Sequence, residues 1–540
     1  MVTRHRLRVS PVATIGLVTP ESLVRSLDDF LASARDAVIV EDGAVIFDLA
    51  QSRYNISGEH NKCLLHVWSA ERNLVRRVVE AEVKNETLRL AVQRMGQTKP
   101  SKLEICRQRD RRTPTAKRMA RLAYQRALQR ALQHRFPGFK ATPLSSSMDL
   151  ERSFGPIYAR GLLRQGQSAW AVLGVNEQET QASIDAALTF GILWLDACRQ
   201  SQAGKALVEG LKLFLPASSS ALTRERMANL NRAAAKWQLY ELEERDHNLR
   251  EIDVSDTGNV ATRLVHFTDE SALRERFAEA IIQVQNVMQE AEIAVLSPAE
   301  IVFRCHGLEF ARARLAQQPA TFRSMVEIVF GIGAHETVLT ESSLSTFATL
   351  VHSIGEVRHP EGPRDHPLWR LHPERWLESL VVQNVAAVDE RLQARSLHSQ
   401  VPAFSASDRA MIDVLTVTRQ GRLAVVELKA DEDIHLPLQG LDYWSRVAWH
   451  HVRGEFQRFG YFPGRELTPE KPLLFLVAPA LHVHPKTDTL LHYISPEVEW
   501  ELAGIDERWR EGVRVVFRKR STRHFPEKHS GNDIMAKVAS

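Results

Sequence analysis

The stretch Ala410–Ala430, AMIDVLTVTRQGRLAVVELKA, decides how this chain is read. Met411 to Thr418 is a β-branched, apolar run interrupted by one acid, Asp413. Gln420-Gly421 closes it as a turn, and Leu423 to Leu428 is a second apolar strand carrying Glu427. Side chains alternate along a strand, so Glu427 and Lys429 share one face and Leu428 points the other way, into a core. Acids set in apolar strands are costly unless a metal or a partner compensates them. One carboxylate on each of two neighbouring antiparallel strands can converge on a single divalent ion, and oxygen ligands suit a hard ion such as Mg²⁺. The lysine two residues on can lie beside a phosphate held there, orient an attacking water and stabilise developing negative charge.

Upstream, PERWLESLVVQNVAAVDERL (373–392) has the pattern of an amphipathic helix. Pro373 suits its first turn, and Glu374 and Glu378 lie four apart on one face. Downstream, Gln439-Gly-Leu-Asp-Tyr443 falls on a further helix. This order of helix with Glu, strand with Asp, strand with Glu-x-Lys, then Gln-x-x-x-Tyr resembles the PD-(D/E)XK nucleases. Within them it is similar to the RecB-type branch and especially the NucS/EndoMS endonucleases. Glu374-x-x-Leu377, Asn384 beyond it and the interval from Asp413 to Glu427 are similar too. Ile412 stands where the family name places a proline, a departure common in this branch.

The resemblance covers roughly 369–520 and implies a restriction-endonuclease-like core of αβββαβ order. It implies metal ligands at Asp413 and Glu427, a direct or indirect role at the metal for Glu374, and catalysis by Lys429. Glu378 is a rival for Glu374. Gln439 and Tyr443 would orient the substrate or the lysine. The activity implied is Mg²⁺- or Mn²⁺-dependent endonucleolytic hydrolysis of DNA by water attack on phosphorus, in repair or in defence against foreign DNA. A nucleic-acid-binding protein with little or no catalysis and an RNA nuclease are the alternatives. The expected partner is nucleic acid, DNA first; a homodimer stays open.

The chain has 540 residues, too many for one ordinary domain, and reads as a multidomain α/β protein. A β-rich domain is expected over 1–112, an α/β domain over 113–256, a mainly helical connector over 257–368 and the nuclease-like domain over 369–520. The tail 521–540 is polar, basic and expected to be disordered. In the connector, SALRERFAEAIIQVQNVM and SPAEIVFRCHGLEFARARL read as helices, the latter placing Cys305-His306 in a helical core. Residues 358–373, RHPEGPRDHPLWRLHP, read as a linker.

The middle region invites comparison with the acid-bearing one. Within the stretches 167–197 and 421–451, placing Ala171 on Ala424 puts Gly174 on Glu427, Asn176 on Lys429 and Phe190 on Tyr443. Without gaps Asp413 falls on Arg160; GLKLFLPA then matches PLLFLVAPA, and KWQLYEL matches EWELAGI. The basic helix expected over 114–134 would correspond to the helix with Glu374. Either this is a degenerate copy, with no carboxylates for magnesium but an arginine able to hold phosphate, or it is an unrelated α/β segment.

A net charge of +4 says little at this length, but its distribution says more. Arg107, Arg109, Arg111, Arg112, Lys117, Arg118, Arg121, Arg126 and Arg130 crowd one region, opposed only by Glu104 and Asp110. That is either an electrostatic footprint for phosphate or a solvated face. Trp68, Arg72, Arg76 and Arg77 either form a surface for unpaired bases or leave Trp68 buried in a β-domain. His482 and His484 could bind a metal or simply pack, with no third ligand nearby in sequence. The four cysteines are far apart without a CxxC pair, which argues against disulfides and zinc and for a reducing cytoplasm. No signal peptide, membrane-length apolar run or phosphate-binding G-x-x-x-x-G-K-[ST] motif is read.

Overall fold

The computed structural model describes residues 19–521, except 94–100, 107–113, 150–153, 256–261, 318–323, 405–408 and shorter breaks at 33, 35–36, 42–43, 50–51, 60–61, 69–72, 85–86, 245, 268–269 and 333–335. It is a mixed α/β protein whose chain divides into two units, one of residues 1–112 with 328–344, the other of 113–327 with 345–540. In the first unit, seven strands between Val38 and Cys106 form one antiparallel sheet. Alternation drives it: Lys62–Trp68 buries Cys63, Leu65 and Val67, and Thr87–Gln93 buries Leu88, Leu90 and Val92. Helix Pro20–Ala32 covers that face with Leu27, Phe30 and Leu31.

The second unit contains two six-stranded sheets of the same design. The first lobe runs α1 (Pro114–Arg135), β1 (Lys140–Ala141), β2 (Ala159–Gln165), β3 (Ser168–Gly174), α2 (Ala187–Gln202), β4 (Leu207–Pro216), α3 (Ala221–Ala228), β5 (Lys236–Glu243) and β6 (Asn248–Ile252). The second runs α4 (Pro373–Gln383), β7 (Leu392–Phe404), β8 (Arg409–Thr418), β9 (Leu423–Leu428), α5 (Leu436–Val452), β10 (Leu473–Pro479), α6 (Thr487–His492), β11 (Trp500–Ile505) and β12 (Val515–Arg520). In both sheets the strands lie in chain order. Both pair antiparallel, antiparallel, parallel, parallel, antiparallel. The parallel steps are crossed by helices, as parallel strands require. The registers match as well: Leu211 faces Trp237 and Leu213 faces Leu239, as Leu474 faces Trp500 and Leu476 faces Leu502.

The lobes meet about a pseudo-two-fold axis. After α3 and α6, Leu230 and Ile494 bridge each other. Asn231 N donates to Tyr493 O at 2.8 Å, and Ser495 N donates to Asn229 O at 2.9 Å, a reciprocal pair such as a two-fold generates. Correspondingly α2 packs on α6 and α5 packs on α3. One apolar core spans the seam, joining Leu188, Ile192, Leu211 and Leu213 to Leu441, Leu474, Leu476 and Leu490. Within it Arg226 of α3 clasps Asp442 of α5 with bonds of 2.8 and 2.6 Å.

The connector departs from expectation. Helices Glu270–Arg276 and Ala278–Gln285 form, but SPAEIVFRCHGLEFARARL is a hairpin of strands Glu300–Cys305 and Leu308–Gln317, paired also with Glu292–Ser297. Ile301, Val302 and Phe303 are all fully buried, and a short continuous apolar run fits a core strand as well as a helix. His306 and Gly307 settle it, since their φ values of 43° and 72° make a tight hairpin turn. Cys305 therefore ends a strand and His306 opens the turn, so neither lies in a helical core. Nor is 358–373 a loose linker: Arg358 is fully buried and donates to the carbonyls of Cys305, His306, Leu368 and Leu371 at 2.8–3.0 Å.

His398 of β7 carries a pH prediction. Its ring sits against Phe267, Tyr461 and Phe462 at centroid distances of 4.8–5.0 Å, and this desolvation lowers its pKa from 6.5 to about 4. A depressed folded pKa gives stability that is present above pH 6.5 and lost as pH falls through about 4. His398→Phe should abolish that component, about 1–3 kcal/mol, with a flatter urea stability profile between pH 6.5 and 4. An unchanged profile would place the acid sensitivity elsewhere.

Candidate active site in the second lobe

The β8–β9 hairpin positions the acids. Gly421 turns it with φ of 88°, where a Cβ would lie 2.3 Å from the Glu466 carbonyl. Val414 pairs with Val426, so one step further along the ladder Asp413 comes opposite Glu427. Asp413 Oδ2 accepts from Leu428 N at 2.9 Å. Lys429 N donates to Val477 O at 2.9 Å, which keeps Lys429 in the sheet beyond the end of β9. Its Nζ lies 3.3 Å from Glu427 Oε1 and 3.7 Å from Glu374 Oε1. Glu374 reaches it from the first turn of α4. The rival Glu378 is buried on the same helix but accepts from Gln400 Nε2 at 2.7 Å and Arg375 Nη1 at 3.0 Å. Gln400, held at φ of 53°, is a contributor that no sequence pattern marked.

Glu427 is 2 % exposed. Burial first, and the Asp413 charge second, push its pKa well above the ordinary carboxylate range. Burial likewise raises Asp413 from 3.8 to about 6, against the Leu428 N–H that lowers it. Glu374 is raised too, by desolvation more than Lys429 lowers it. For Lys429 burial works against the charge, yet Glu427, Glu374 and Asp413 outweigh it and hold the ammonium firmly protonated. The cluster is thus short of positive charge. In metal-free buffer, a raised acid pKa means a penalty absent below pH 3.8 and complete above about 6. Asp413→Asn should therefore gain about 1–3 kcal/mol in urea unfolding at pH 8 and almost nothing at pH 3.5. A loss at pH 8 would show that the carboxylate is already compensated.

Two polar atoms of the residues singled out by sequence lack a partner within the chain. Glu427 Oε2 and Gln439 Oε1 are buried without a hydrogen-bond partner. Gln439 and Tyr443 share helix α5, and the phenol's pKa is raised by desolvation and then by the Glu427 and Asp413 charges. Among the described residues no set of three or more His, Cys, Asp or Glu groups is gathered closely enough to hold a metal ion. What the strands bring together is two carboxylates, Asp413 and Glu427, with Glu374 turned to Lys429. Buried acids with raised pKa values and an orphaned carboxylate oxygen fit a hard cation. His482 and His484 face acids: His482 lies 3.6 Å from Glu507 and 4.0 Å from Asp431, and His484 3.6 Å from Glu432.

The corresponding place in the first lobe corrects the gap-free alignment. Ala171 pairs with Leu211 and Leu173 with Leu213, as Val425 pairs with Leu474 and Glu427 with Leu476. Val175 N donates to Phe214 O just as Lys429 N donates to Val477 O. Glu427 therefore corresponds to Leu173, not Gly174, and Lys429 to Val175, not Asn176. A slip of one residue turns every side chain to the other face. Leu173 and Val175 belong to the shared core, whereas a Cβ on Gly174 would meet Tyr124 Oη of α1 at 2.4 Å. Arg160 does face Leu173, the place opposite Glu427. It is 4 % exposed and lies 4.6 Å from the Phe154 ring centre, so it is not presented to phosphate as expected.

Of the basic cluster, Arg107, Arg109, Arg111 and Arg112 lie outside the described residues. On α1, Arg118, Arg126 and Arg130 are exposed and Lys117 is half-buried. Arg121 is held by Glu179 at 2.7 Å, which weakens its claim as a phosphate ligand. In the first unit Trp68 is half-buried and shares a sheet face with exposed Arg77, while Arg76 pairs with Glu41 at 3.2 Å and Arg72 lies outside the described residues. Among the described residues no helix is long and apolar enough to cross a membrane. Comparison with known proteins returns no match to a family model, a curated protein or a solved structure.

Proposed function

We propose that the second lobe is a metal-dependent nuclease centre of the PD-(D/E)XK kind, acting on DNA. The observation that carries this reading is the meeting of Asp413, Glu427, Lys429 and Glu374 at the end of β9, with Glu427 Oε2 buried and unpartnered. The strand order and the position of α4 before the sheet are compatible with a restriction-endonuclease-like core. Asp413 and Glu427 would hold Mg²⁺ or Mn²⁺, which when bound supplies Lewis-acid polarisation of the phosphodiester.

The chain's own groups do the rest. Lys429 remains an ammonium beside the acids and stabilises charge developing on phosphate oxygens. Glu374, 3.7 Å from its Nζ, pairs with that charge and limits its rotation. Gln439 and Tyr443 on α5 orient what enters, and the apolar strands around Glu427 exclude bulk water. The test is incubation of the full chain with single-stranded, duplex and forked DNA and with RNA, in Mg²⁺, Mn²⁺ or EDTA. Metal-dependent cleavage of DNA is expected. Cleavage of RNA alone would change the substrate class, and tight binding without cleavage in either metal would leave a nucleic-acid-binding protein.

A further inference from the structure

The second unit is built as a dimer inside one chain, and only the second lobe carries acids at the paired positions of Asp413 and Glu427. The reciprocal bonds around Leu230 and Ile494 and the matched registers of the two sheets set the halves about one pseudo-two-fold axis. At the position of Glu427 the first lobe has Leu173, at that of Lys429 it has Val175, and Arg160 stands opposite Leu173. Leu173 and Val175 are fully buried in the core that joins the lobes, and neither has a polar side-chain atom to offer. The one charged group there is the buried Arg160, a cation, so this end of the first lobe offers no oxygen ligand to a metal ion.

The strands of a DNA duplex are themselves related by two-folds, and a symmetric dimer meets them with equivalent surfaces. A dimer of two equal nuclease lobes would bring one centre to each strand. We propose that this chain, presenting one live and one silenced lobe, cuts a single strand of a duplex per encounter and leaves a nick. The inference rests on the nuclease reading of the second lobe. In the step a water oxygen bonds to phosphorus, one phosphorus–oxygen ester bond breaks, and the departing oxygen leaves as a hydroxyl with the proton released by the water. No other reactant is consumed.

The test combines a count of cuts with a count of cation centres, both on the full chain. Supercoiled plasmid in excess over protein, with Mn²⁺, is followed by gel from the first percent of reaction. Separately, Mn²⁺ without DNA is titrated by electron paramagnetic resonance. Open circles should account for nearly all early product, with linear molecules arising only later from a second cut. Mn²⁺ should saturate one locus per chain, and Glu427→Gln should remove that binding. Linear plasmid among the earliest products would overturn the one-strand proposal, as would saturable Mn²⁺ binding that survives Glu427→Gln. Failure to cleave any nucleic acid, with the Mn²⁺ locus present and lost in Glu427→Gln, would instead overturn the nuclease reading and the nick with it. A circular dichroism spectrum and melting transition of Glu427→Gln that match the parent's serve as the folding control for the titration.

Discussion

Glu427→Gln should reduce cleavage by about a thousandfold or more while leaving the fold intact. The substitution keeps the shape of the side chain and an oxygen that can face Lys429 Nζ, now 3.3 Å from Oε1. What it removes is the negative charge, buried at 2 % exposure, that the proposed cation would neutralise. The metal-free variant should be as stable as its parent or more so, because burial disfavours that charge in the folded state. The contrast is Glu378→Gln, whose carboxylate is occupied by Arg375 and Gln400, and which should lose no more than about tenfold, within the range of a supporting contact. Rates of Glu427→Gln within a factor of two of the parent, at saturating Mg²⁺, would remove Glu427 from the chemistry.

How much of this could be seen in the sequence depends on scale. Strand alternation placed Glu427 and Lys429 on one face and Leu428 in a core, and Leu428 is 1 % exposed in the apolar cluster beneath α4. The helix from Pro114, the antiparallel β8–β9 pair and the amphipathic helix from Pro373 likewise follow from local periodicity and turn residues. What local pattern could not supply is the partner. Ile301-Val302-Phe303 is apolar on successive residues, and only the strands on either side make it a strand. Arg358 sits in a stretch of Pro, Gly and His that looks solvated, yet four carbonyls from two segments receive its guanidinium.

The choice between Glu374 and Glu378 shows the same limit at the site itself. Both lie on one helical face, but Glu374 turns to Lys429, while Glu378 is engaged by Arg375 and by Gln400 of β7 and adds its charge to that around Asp413. The internal repeat was visible as similar strand-helix-strand strings, but their register was not. A gap-free match puts Gly174 on Glu427, and one inserted residue, fixed by hydrogen bonds to β4 and β10, puts Leu173 there. The chemical conclusion survives the shift because both residues lack an acid. The physical one changes: the corresponding position in the first lobe is filled core, not an open pocket.

Lys429→Ala should slow cleavage by about a hundred- to a thousandfold, the cost typical of deleting one electrostatic donor at a developing oxyanion. Binding of DNA should change little, because a group that acts on charge appearing in the transition state contributes less to the ground state. Three measurements separate this from a structural role. Single-turnover rate should fall while the dissociation constant measured in Ca²⁺ stays within about threefold, since in the ground state the ammonium is already paired with Glu427 and Glu374. Mn²⁺ binding should persist, because Asp413 and Glu427 are both untouched. The pH dependence of stability should steepen above neutrality, since Glu427, Glu374 and Asp413 lose the ammonium that lowers their pKa values, and raised acid pKa values cost stability as pH rises through them. If DNA affinity instead fell in step with rate, Lys429 would be an anchor for the backbone. Its position 3.3 Å from Glu427 and 3.7 Å from Glu374 would then describe a resting ion pair that the substrate must break.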